Sequence, residues 1–202
     1  MSVADNGGAE AIVRDFHPRR LVTPALRTRS PMEKTMPDTV ALAGRPAESW
    51  HEGQTNALGG GISVDVLAPA ADMTETHAQD RALVLLFHSA GQTLLWAGKI
   101  DPPVQQALLA RHPGLRADVL VLSPDALPGE DWLQTLGIRE WLQMPRADPR
   151  ANITTTENQP ETWDDWPLDQ TGAVGVRFLP ATRLDPPKIV LHPWVAGPEI
   201  RN

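Results

Sequence analysis

Apolar and polar positions along this chain change period several times, and each change marks an element. In AEAIVRDF, residues 9–16, Ile12, Val13 and Phe16 fall at i, i+1 and i+4, one face of a short helix entered through Gly7-Gly8. Arg20-Leu21-Val22 reads as a short strand. Ser30-Pro31-Met32-Glu33 is a helix start, with serine at the N-cap, proline in the first turn and glutamate placed to close a capping box. Pro37 cuts that helix short. From Val40 the pattern turns to strands: Ile62, Val64 and Val66 alternate with Ser63 and Asp65, entered through Gly59-Gly60-Gly61. Residues 70–81 are polar and predict an exposed loop.

The middle of the chain is the most strongly patterned. Ala82 to Phe87 and Thr93 to Ala97 are apolar runs joined by Ser89-Ala90-Gly91-Gln92, a hairpin. Asp101 then caps a helix with Pro102 and Pro103 in its first turn; Val104, Ala107, Leu108 and Ala110 form its inner side, and Pro113-Gly114 stops it. Uniform apolarity makes Val119 to Leu122 a strand buried on both faces. Gly129-Glu130-Asp131 opens a helix carrying Trp132, Leu133 and Leu136, ended by Gly137, and Ile138 to Met144 is the next strand. Residues 145–167 are polar and proline-punctuated, an irregular loop in which Asp164-Asp165 reads as a solvated turn. Gly172 to Phe178 and Lys188 to Leu191 are the last strands.

Composition narrows the chemistry. The 202 residues suffice for one domain with a core, and 20 prolines with 15 glycines predict a loop-rich one. No cysteine is present, so disulfides, thiolate catalysis and Cys-based zinc sites are excluded. No apolar run is long enough to span a bilayer, and the N-terminus lacks the layout of a signal peptide. A net charge of −7 opposes tight phosphate binding, which needs clustered Lys and Arg. Arg14, Arg19, Arg20, Arg27 and Arg29 form the one candidate basic patch; it reads as a solvated face, so DNA contact is weak at most. The histidines, His17, His51, His77, His88, His112 and His192, show no metal-ligand spacing, and no small-molecule ligand or cofactor is predicted. Trp96, Trp132 and Trp141 lie on apolar-patterned elements and predict core positions; Trp163, Trp166 and Trp194 predict loop clamps.

Residues 82–122, ALVLLFHSAGQTLLWAGKIDPPVQQALLARHPGLRADVLVL, run strand, turn, strand, helix, buried strand. That order resembles the C-terminal metallo-β-lactamase-like domain of ComEC-type competence, or DNA-internalisation, proteins. ADNGGAEAIVRDFHPRRLVTPAL is similar to the stretch around the first metal motif of that family, RPAESWHEGQTNALGGGISVDVLAP to its paired strands with a glycine-rich turn, and GIREWLQMP and DQTGAVGVRF to later strands. The resemblance implies a mixed α/β fold: a partial αββα sandwich with short flanking helices, with residues 1–202 as one degenerate domain that starts after the family's first strands.

The departures fall on the metal ligands. Where the family carries a histidine-rich first motif, this chain reads Ser2-Val3-Ala4-Asp5-Asn6: either the motif is substituted, with Val3 and Asp5 at ligand positions, or three residues are deleted before Gly7. Lys99 follows Gly98 where the family has a metal-binding aspartate, and an ammonium cannot ligate while charged. Pro124 and Asp125 replace paired histidines. The resemblance therefore implies a non-catalytic remnant with no metal or other cofactor, in a structural or interaction role in DNA uptake, with a membrane-embedded competence channel domain as its partner. The alternatives are a metal-dependent hydrolase or nuclease with relocated ligands, and a decayed gene fragment.

Overall fold

The computed structural model describes residues 9–25, 44, 46–70, 82–123, 126, 128–143, 164–167, 173–183 and 185–194. Its centre is a seven-stranded mixed sheet. In spatial and chain order the strands are β3 (Thr55–Gly59), β4 (Ile62–Ala68), β5 (Val84–Ser89), β6 (Gln92–Gly98), β7 (Val119–Leu122), β8 (Glu140–Gln143) and β9 (Asp164–Pro167). From β3 to β6 neighbours are antiparallel; from β6 to β9 they are parallel. The change follows from the connections. Two-residue turns join β3 to β4 and β5 to β6, whereas helices α2 (Pro102–Arg111) and α3 (Glu130–Leu136) carry the chain back between β6 and β7 and between β7 and β8. Two smaller sheets complete the fold: β1 (Val22–Pro24) pairs parallel with β2 (Glu48–Trp50), and β10 (Ala173–Leu179) pairs antiparallel with β11 (Lys188–Trp194).

Burial on both faces explains the apolar strands. All four residues of β7 are buried. Leu120 and Leu122 join Leu86, Leu95, Ala97 and Trp141 on the face covered by Leu108 of α2 and Trp132, Leu133 and Leu136 of α3. Val119 and Val121 lie on the opposite face with Leu94 and Leu142, where Val176, Phe178, Ile189 and Leu191 of the β10–β11 hairpin pack over them. Nearer β4, the same face is covered by Trp50 and Val22, which meet Val64, Val66, Leu85 and Phe87. The result is an α/β arrangement of helices, main sheet and partial second layer of strands, the fold class expected from the sequence.

The β5–β6 hairpin lies where the apolar runs place it, with a tight turn. Ser89 pairs with Gln92, so only Ala90 and Gly91 form the loop, both at positive φ (52° and 77°). A loop with two left-handed residues matches the twist of the flanking strands. Ala90 holds that conformation at a cost of about 1 kcal/mol that glycine avoids.

Several elements depart from the expected pattern. Residues 164–167 form an edge strand on β8 rather than a loop, so Asp164-Asp165 is strand and not a turn. Isolated from a clear apolar period, that strand is set by pairing alone. Trp96 is 39% exposed, not core: it shares a face with Leu85 and Val121, its cross-strand partners, but lies outside the clusters under the two strand covers. On α2 the buried residues are Gln105 and Leu108, while Ala107 and Ala110 are not among them. The helix is rotated so that its amide side chain faces the loops. Asp101 occupies the N-cap position without a side-chain cap bond. In α1 (Ala9–Phe16) only Val13 of the expected apolar trio is buried; Ile12 and Phe16 face outward. The first strand falls on Val22–Pro24 rather than on residues 20–22. The expected helix from Ser30, the strand start at Val40, nearly all of the polar loop at 70–81, and residues 145–163 lie outside the described residues.

Leu120 is fully buried in the larger core. Leu120→Ala is expected to lower unfolding free energy by about 3 kcal/mol, the usual cost of deleting a buried leucine side chain. Ile12→Ser, on an exposed helix face, is expected to stay within about 0.5 kcal/mol. Urea denaturation of both variants checks the contrast.

Candidate functional site

Parallel pairing of β6 and β7 brings two of the suspected ligand segments together. Gly98 ends β6 in a left-handed conformation (φ 57°), and the register shifts between Trp96 and Gly98. The backbone N–H of Ser123 donates to the carbonyl of Gly98 at 3.0 Å. Lys99 therefore sits one residue beyond the contact, directly beside the start of the loop that follows β7. Ser123 is buried, and its carbonyl accepts from the Ala126 N–H at 3.0 Å. Pro124 and Asp125, like Val3 and Asp5, lie outside the described residues. Lys99, half-buried, makes a polar interaction of its own.

Gln105 fixes this loop pair from below. It is 2% exposed, donates from Nε2 to the Ile100 carbonyl at 3.1 Å and accepts the Gly129 N–H on Oε1 at 3.3 Å. One buried amide thus ties the loop after β6 to the start of α3. Its polarity in the α2 sequence hid this role, because an inward-facing glutamine reads as a surface residue until the helix phase is known.

Lys99 cannot ligate a metal while charged, since a metal ion needs an anionic oxygen or a neutral nitrogen. Among the described residues, no group of three or more His, Asp or Glu side chains is placed to hold an ion. What these loops do offer is a positioned ammonium and a buried hydroxyl, Lys99 and Ser123, at the carboxyl ends of two parallel strands.

A second constellation, which sequence reasoning missed, lies at the opposite end of the sheet. His88 Nε2 is 2.8 Å from Asp65 Oδ2, and Thr55 donates its hydroxyl to Asp65 Oδ1 at 2.6 Å. These three residues sit on adjacent strands β3, β4 and β5, with Ser63 directly opposite His88. Next to them Asp118 accepts the Thr93 N–H at 2.9 Å, closing the β6–β7 end. All of these groups are partly solvent-exposed. Their detection requires the β4–β5 register; the 23 residues separating Asp65 from His88 carry no local signal.

Two of the five arginines of the expected basic patch, Arg14 and Arg20, are paired with carboxylates. Arg14 pairs with the adjacent Asp15, and Arg20 makes a two-pronged contact with Glu48 (Nε to Oε1 2.8 Å) while its guanidinium lies 5.3 Å from the Trp50 ring centroid. The hydrogen bond from Arg20 holds the Glu48 carboxyl below the usual carboxylate range, and the bond from Trp50 adds to it. The same Glu48 contact raises the Arg20 pKa. Arg27 and Arg29 lie outside the described residues. Elsewhere Glu52 joins Arg111 (3.1 Å) and His112 (3.0 Å) at the end of α2.

No protein family matches the chain by sequence, and no curated protein does. Among solved structures it is similar to a mutant of the CmlA β-hydroxylase, at 12% identity and a TM-score of 0.43, over 61% of this chain and 31% of that one. It is also similar to a protein of Thermotoga maritima described as a Zn-dependent hydrolase of the metallo-β-lactamase superfamily, at 10% identity and a TM-score of 0.28, over 49% of each chain. The chain thus spans between about a third and a half of the length of these structures.

Gln105→Leu leaves the Ile100 carbonyl and the Gly129 N–H without partners, and is expected to cost about 2 kcal/mol in urea denaturation. For Glu48, a depressed folded pKa means that its stabilising contribution is present above the ordinary carboxylate pKa and is lost as pH falls through the folded value. Glu48→Gln is therefore expected to flatten part of the acid-side fall in stability, and to do so less in high salt. Denaturation midpoints of parent and variant from neutral to acid pH measure both effects.

Proposed function

We propose that the chain is a degenerate metallo-β-lactamase-like domain of the ComEC competence type, acting without catalysis as a structural or interaction module in DNA uptake. The observation that carries this reading is Lys99. It lies at the end of β6, where the structure brings it beside Ser123 and the loop after β7. Lys99 follows Gly98, whose carbonyl accepts the Ser123 N–H, so the two segments in which the resemblance puts ligands run side by side and one of them carries a lysine. The order hairpin, proline-started helix, doubly buried strand supports the lactamase-like framework, and the sequence segments that resemble the competence family support that assignment. The ion pairs of Arg14 and Arg20 support a protein partner over nucleic acid, with a membrane-embedded channel domain as the candidate.

Restoring ligands separates a lost ligand set from a lost pocket. Lys99→Asp combined with Pro124→His and Asp125→His restores ligands at two of the three segments, while the stretch containing Val3 and Asp5 still offers no histidine. Ordering a half-site consumes much of the free energy of metal binding. Zinc or manganese titration is expected to raise the melting temperature of the triple variant no more than that of the parent, and neither protein should cleave single-stranded DNA. Metal-dependent cleavage by the parent would overturn the non-catalytic reading.

A further inference from the structure

We draw no further inference here: the strongest candidate, the partly exposed Thr55–Asp65–His88 cluster across β3, β4 and β5, consists of side chains already bonded to one another, and among the described residues no further His, Asp or Glu side chain joins it to hold an ion, so nothing in the structure shows what it would bind.

Discussion

Burial of β7 on both faces is the constraint on which the rest of the structure depends. A strand whose four residues are all apolar and all buried needs two covers, and the chain provides two of different kinds. Leu120 and Leu122 are met by the helices that flank the strand in sequence, and Val119 and Val121 by a hairpin that arrives some fifty residues later. The crossover helices in turn force β6, β7 and β8 to run parallel. Parallel strands put their carboxyl ends at one edge of the sheet, which is why the loops after Gly98 and Leu122 meet. The geometry of the candidate site is thus a consequence of core packing.

At that edge the chain has invested in rigidity. Gln105, buried beneath the loops, satisfies one carbonyl and one N–H with a single amide. A fully satisfied buried polar group fixes a loop pair more specifically than apolar contact does. Lys99 lies in the loop after β6 that this amide holds through the Ile100 carbonyl.

How much of this was legible in the sequence depended on range. The β5–β6 hairpin, α2, β7 and α3 with Gly137 as its left-handed stop could be read because their signals are local: apolar runs, helix-starting prolines, a terminating glycine. Helix phase was harder. Short α2 carries leucine and alanine around much of its circumference, so Gln105 facing inward could not be chosen over Ala107. Trp96 lies on an apolar strand face, but its exposure is decided by where two distant covers end. β9 has no period of its own and exists by pairing with β8. Asp65, His88 and Thr55 meet only through the register of three strands. Among the suspected ligand positions the described structure places Lys99 alone, beside Ser123.

The central claim is that Lys99 and its neighbours leave this fold without a metal centre, and the metal content of the purified full-length chain tests it most directly. Elemental analysis after dialysis against buffer without chelator is predicted to find zinc and manganese far below one equivalent. Close to one equivalent of tightly held metal, lost on substitution of a histidine such as His88, would contradict the account.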